Sequence, residues 1–210
     1  MRDAGEREDS SRDVENKTMN TFDESKHEYR INGHAVPSVT GILKEAGLID
    51  STWFTPEAAL RGTHVHTACA LWDKGELDTC ALDPVLVPYL EAWQKFRKDS
   101  GITPAIIETP YYSLEHGFAG TIDRSWHDGK YWVIADIKSG PLPDWLPLQL
   151  AGYSILINAF SGMGIELRDN GSYSVKVVKT PELFKARRRF LEFLALVKKR
   201  RMETWTEKKA

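Results

Sequence analysis

GTIDRSWHDGKYWVIADIKSG, residues 120–140, sets Asp123, Asp136 and Lys138 in or beside an otherwise apolar run. A charge buried without a partner is costly, so such a strand carries an acid and a lysine two apart only for a reason. The Asp128-Gly129 pair marks a hairpin turn, because both residues accept the positive backbone angles of a tight turn. With His127 opposite Lys130, Asp123 faces Ile134 and Asp136 faces Thr121. Side chains alternate along strands, which puts Asp123, Asp136 and Lys138 on one face. The two carboxylates then become diagonal neighbours about 7–8 Å apart. A divalent cation between them would relieve both repulsion and desolvation. The alternative is a structural Asp–Lys ion pair beside an unrelated turn-proximal Asp.

Working outward, residues 27–31 alternate like a strand and meet Asn32-Gly33, so a small hairpin opens the folded part. Ser38 caps a short helix that stops near Gly47. Thr55-Pro56-Glu57 starts a helix running to about Gly75, and Asp83-Pro84 starts a third that ends at Gly101. Strand-like runs follow over 105–113, 118–126 and 131–138. A helix is expected over 145–160 and a strand over 172–178, and Pro181 opens a long terminal helix. The core order is helix, three strands, helix, strand. This predicts an α/β fold around a mixed sheet, because a meander is antiparallel while a helical crossover favours parallel pairing. Apolar residues on both faces of 131–137 fit a central strand.

The 210 residues, 41% hydrophobic and 28% charged, suffice for one full core and small additions. No apolar run approaches the roughly 20 residues of a membrane span, and no signal-peptide pattern opens the chain. Cys69 and Cys80 fit reduced thiols in a cytoplasm and cannot fill a four-cysteine metal site. Residues 1–25 hold four basic against eight acidic side chains, and residues 185–210 hold ten against three. Residues 1–21 therefore read as a disordered acidic tail before a single domain over 22–210. The basic end, with Arg187, Arg188 and Arg189, is either a nucleic-acid footprint or a solvated helix face. No GxxxxGK[ST] occurs, so no phosphate-cradling nucleotide site is expected.

An Asp, a strand turn and Asp-x-Lys in this element order resemble the PD-(D/E)XK nuclease superfamily. More narrowly, the chain resembles its RecB-like branch, which includes phage exonucleases and mitochondrial genome maintenance exonucleases. That branch adds an upstream histidine and a Gln-x-x-x-Tyr after the lysine strand. Gly62-Thr63-His64-Val65-His66 and Gln149-Leu150-Ala151-Gly152-Tyr153 match them, and Pro37-Ser38-Val39-Thr40-Gly41-Ile42-Leu43 is similar to the opening of those members. The resemblance implies an α-β-β-β-α-β core with an N-terminal hairpin and helices added before it and a long helix after it. It implies that His66, Asp123, Asp136 and the Ile137 carbonyl hold one or two Mg²⁺ or Mn²⁺ ions and that Lys138 is the catalytic lysine. Gln149 and Tyr153 match residues that support the site and hold the DNA backbone, and Glu108 matches a commonly acidic position. The implied activity is a metal-dependent deoxyribonuclease of phage-type recombination, repair or replication, without an iron–sulfur cluster. An exonuclease that prefers single strands is expected. A junction-resolving endonuclease and a non-catalytic DNA-binding accessory are the alternatives. Trp53, Phe54 and Trp72, on the added layer, are candidates to stack bases.

Overall fold

The computed structural model describes residues 20–50 and 55–207. The expected tail up to residue 19, together with Trp53 and Phe54, lies outside the described residues. Among them no helix is long and apolar enough to cross a membrane.

The described residues open with three short antiparallel strands, β1 (Asn20–Asp23), β2 (Glu28–Ile31) and β3 (His34–Val36). β1 thus takes in Asn20 and Thr21, the last two residues of the expected tail. Three helices follow: α1 (Val39–Glu45), α2 (Pro56–Lys74) and α3 (Val87–Ser100). Their starts match their sequence signals. Ser38 Oγ accepts from Gly41 N at 3.0 Å, and Thr55 Oγ1 accepts from Ala58 N at 3.1 Å with Pro56 in the first turn. α2 and α3 stop at Gly75 (φ 73) and Gly101 (φ 66), in the left-handed conformation glycine takes without a steric cost.

The main sheet has the order β4-β5-β6-β7-β8: β4 (Ile106–Ser113), β5 (Phe118–His127), β6 (Trp132–Lys138), β7 (Ser161–Leu167) and β8 (Tyr173–Val178). β6 and β7 are parallel and joined by α4 (Leu146–Ile157), and the other neighbours are antiparallel. The terminal helix α5 (Thr180–Glu207) covers one face with α1 and α4, through Phe190, Leu194, Leu150 and Ile42. α2 and α3 cover the other face, through Val65, Cys69, Trp93 and Phe96. β6 feeds both layers, Ile134 into one and Val133, Ala135 and Ile137 into the other, as a central strand must.

Two expectations are corrected. The strand that follows the crossover helix is β7, not 172–178, which is the antiparallel β8 beyond it. α4 ends early because Asn158 takes φ 51 as its cap. β7, SGMGIEL, hides from a propensity reading because Gly162 and Gly164 weaken any strand signal. Packing explains them: a Cβ on Gly164 would collide with Leu146, and one on Gly162 would sit 3.3 Å from Leu150 Cδ1, so glycine admits α4 against the sheet. The hairpin register also moves by two residues, since His127 pairs with Trp132 rather than Lys130. Asp128 Oδ1 accepts from Lys130 N at 2.8 Å and Tyr131 N at 2.7 Å, closing a longer loop. A shift of two leaves every side chain on its face.

Candidate active site

The new register lines up three acids. Glu108 on β4, Asp123 on β5 and Asp136 on β6 occupy equivalent places on adjacent strands. At this row the backbone ladders break: β4 and β5 pair Ile107 with Arg124 and Thr109 with Ile122, and β5 and β6 stop at Arg124–Ala135. Two features of the row depart from regular sheet. Glu108 takes φ 42, a left-handed value that a non-glycine strand residue rarely adopts. The amide of Ile137 donates to Asp123 Oδ2 at 2.9 Å, so a side chain substitutes for a strand partner.

α2 brings His66 over this row. Its Nδ1 is 3.2 Å from Glu108 Oε1 and 3.5 Å from Asp123 Oδ2, and its Nε2 is 2.8 Å from the Ile137 carbonyl. Both nitrogens face acceptors, which favours the doubly protonated ring. Burial opposes that charge, but Asp123 and Glu108 outweigh it and raise the His66 pKa to about 9. Burial likewise raises Asp136, to about 6 despite Lys138, whose Nζ lies 2.7 Å from Asp136 Oδ2. Asp123 is raised by burial too, against the pull of His66. Lys138 is shifted up: burial disfavours its charge, but Asp136 and Asp123 more than compensate. Its Nζ also lies 5.5 Å from the centre of the Trp145 ring.

This donor set fits a divalent ion. One donor atom each from His66, Glu108 and Asp123 lie within 4.8 Å of one another, and the Ile137 carbonyl touches the same imidazole. Asp136 is 1% exposed, and neither of its buried oxygens receives a well-aligned hydrogen bond among the described residues. Carboxylates, a carbonyl and one imidazole suit Mg²⁺ or Mn²⁺. Glu108 stands as close to His66 as Asp123 does, a more central place than its residue type signalled. Asp136 stands with Lys138 at the edge of the trio.

The other expected residues divide. Gln149 and Tyr153 line the same cavity, with Gln149 Nε2 donating to Tyr153 Oη at 3.3 Å and Gln149 Oε1 buried without a donor among the described residues. Gly62, in the same matched stretch as His66, faces Ser139, whose Oγ would lie an ordinary 3.6 Å from a Cβ placed there. His64 is exposed, away from the acids. Trp72 packs in the α2–α3 layer, 5.6 Å beneath the Arg97 guanidinium, and does not line the cavity. Arg187, expected among the DNA-binding residues, is engaged within the fold. Its Nε donates to Ser154 Oγ at 2.7 Å, and its Nη2 donates to the Ser154 and Ala159 carbonyls, which satisfies the end of α4. Arg188 and Arg189 are exposed, and no α5 residue lines the cavity.

Behind the acids lies a buried network that the sequence reading missed. Arg124, 0% exposed, donates from Nη1 to Glu108 Oε1 at 2.9 Å and to the Asp123 carbonyl at 2.6 Å, and from Nε to Asp73 Oδ2 at 2.6 Å. Asp73 also takes Arg97 Nη1 and, at 3.2 Å, Trp93 Nε1. The signal that could have found it is spacing: Asp73 lies seven residues after His66, two turns along the same face of α2.

Helix, three antiparallel strands, helix and parallel strand, with an acid on the second strand and Asp-x-Lys on the third, complete the pattern. This is the element order that the resemblance to the PD-(D/E)XK nucleases implies. Among solved structures it is similar to the exonuclease LHK-Exo in complex with dAMP, at 11% identity and a TM-score of 0.43 over 83% of this chain and 95% of that one. A second structure of this alkaline exonuclease, from Laribacter hongkongensis, aligns at 10% identity and a TM-score of 0.41, over 82% and 94% of the two chains. SSO0001 aligns at 13% identity and a TM-score of 0.40, over 89% and 83%. No family model and no curated protein matches the sequence.

Proposed function

We propose that the protein is a divalent-metal-dependent deoxyribonuclease, an exonuclease that takes single strands from an end. The observation that carries this reading is the convergence of His66, Glu108, Asp123, Asp136 and Lys138 in one cavity of about 1070 Å³. A bound Mg²⁺ or Mn²⁺ supplies a water of lowered pKa and neutralises charge on the phosphate. His66, Glu108, Asp123, Asp136 and the Ile137 carbonyl are the residues to hold it. Lys138, kept charged by Asp136, offers a mobile positive point to oxygens on which charge grows during hydrolysis. Gln149 presents a buried amide oxygen, an acceptor for a water in the cavity.

The preference for a single strand is supported by the added N-terminal layer. Phe22, His27 and Tyr29 from the hairpin, with residues of α2, line the cavity together with the acids, so the acids lie in a recess between these elements. A single strand enters such a recess more easily than a duplex. A role in phage-type recombination, repair or replication, in a cytoplasm, goes with this reading. The test is a closed single-stranded circle beside its linearised form, with Mn²⁺. Degradation of the linear form alone is expected, and cutting of both at equal rate would replace the exonuclease with an endonuclease.

A further inference from the structure

The cavity, of about 1070 Å³, is far larger than an ion and a phosphate require, and part of its lining is aromatic. Phe22 on β1 and Tyr29 on β2 stack with ring centres 4.5 Å apart and planes 22° apart. His27, in the turn between the two strands, meets them edge-on at 5.4 and 5.5 Å. Tyr29 is the fixed member. It is 1% exposed, and its hydroxyl shares a 2.7 Å hydrogen bond with Thr121 Oγ1, two residues before Asp123. The stack is therefore tied to the strand that carries a central acid. Phe22 is only half-buried and His27 is exposed, so both leave ring surface accessible in the cavity. His27 holds φ 51, a conformation that Gly or Asn takes more easily. Its turn is braced, with Asp23 Oδ1 accepting from Ser25 Oγ at 2.7 Å and from Lys26 N at 3.2 Å.

Charge assigns the two walls different parts of a nucleotide. The cations that line the cavity, Arg61, Lys74 and Lys138, come from α2 and β6. The hairpin wall adds rings and one acid, Glu24, which repels a phosphate placed beside it. A strand lying along this cavity runs its backbone past α2 and β6 and turns its bases toward the hairpin.

We propose that Phe22 and His27 form a nucleobase-stacking subsite in the active-site cavity. This inference rests on the nuclease reading and deepens it. Every base has a π-face, so the subsite grips any sequence and holds purines, with their larger rings, more firmly than pyrimidines. It fixes the nucleotide whose phosphate lies at the acids, so that the strand does not slip while it is cut.

The test uses the full chain carrying Lys138→Ala, so that bound DNA stays intact, with Mn²⁺ and short single strands containing one abasic residue at successive positions. Two further variants are made on that background. Phe22→Leu keeps an apolar side chain in the hairpin, and His27→Asn keeps a residue that accepts positive φ. One abasic position is expected to weaken binding about tenfold, in the range of a lost base–aromatic stack. Phe22→Leu is expected to weaken the intact strand by a similar factor and to erase the abasic penalty at that position alone, because the two changes remove the same contact. His27→Asn is expected to do so in part. An undiminished abasic penalty in both variants overturns the subsite. Cleavage of the intact strand by protein with native Lys138 is measured alongside. Cleavage together with an undiminished penalty removes only the subsite, while absence of both binding and cleavage removes the nuclease reading and the subsite with it.

Discussion

Asp73→Ala should damage both the stability of the fold and the geometry of the candidate metal site. The Asp73 side chain is 1% exposed and accepts from two arginines and from Trp93 Nε1. Arg97 keeps a second partner, the Ile102 carbonyl at 2.6 Å. Arg124, 0% exposed and 5.3 Å from the centre of the Trp93 ring, loses the acceptor of its Nε and keeps only Glu108 and the Asp123 carbonyl. Removing one partner from a buried ion pair costs about 3–5 kcal/mol, because the remaining charge stays in the interior. For a domain of this size each kcal/mol moves Tm by about 2–4 °C, so a fall of about 6–20 °C is expected. The second effect is on the ion. Arg124 holds the Glu108 oxygen that also faces His66, and loss of such a partner typically weakens metal binding about 10–100-fold. Thermal melts followed by circular dichroism give the first quantity, and calorimetric titration with Mn²⁺ at a temperature where the variant is folded gives the second. A Tm within 2 °C of wild type, or an unchanged Mn²⁺ affinity, would refute the role given to this network.

Lys138→Ala is expected to lower cleavage by about a hundred- to a thousandfold, the scale of losing a fixed charge at the reacting phosphate, while DNA retention in gel-shift assays stays near wild type; wild-type turnover would remove Lys138 from the reaction. In the absence of an ion His66 holds its proton to about pH 9, because Asp123 and Glu108 overcome the effect of burial. An incoming ion must displace that proton, so apparent Mn²⁺ affinity should rise about tenfold per pH unit between pH 7 and pH 9 and then level off. His66→Ala should flatten that slope, and a slope that survives in the variant would place the proton elsewhere. Gly164→Ala should cost about 1–3 kcal/mol in urea unfolding, since the new methyl group collides with Leu146; a neutral effect would show that α4 moves freely against β7.

Features set by local backbone chemistry were legible in the sequence, and features set by distant packing were not. Ser38 and Thr55 cap helices because their side chains reach amides three residues on, a relation written in consecutive letters. The common face of Asp123 and Asp136 survived a two-residue error in register, because alternation depends only on parity. β7 was hidden because its glycines answer to Leu146 and Leu150, partners on another element. Arg187 read as a free cation because nothing near it in the sequence announces the α4 carbonyls that it satisfies. The link from Arg124 to Asp73 spans 51 residues, and only the layering of α2 on the sheet brings the two together. Glu108 carried a weak signal, an acid on a strand, and its left-handed backbone appears only in three dimensions.

The central claim is that the acid row and Lys138 make a metal-dependent phosphodiester hydrolase. The most direct measurement incubates an end-labelled linear single strand with wild type and with Asp136→Asn, each in Mn²⁺ and in chelator. Asparagine keeps the shape of the side chain but removes the charge that pairs with Lys138 and serves the ion. The account predicts progressive loss of label only for wild type with Mn²⁺, with the variant slower by about a hundredfold or more. Equal degradation by the variant, or degradation by wild type that persists in chelator, would contradict it.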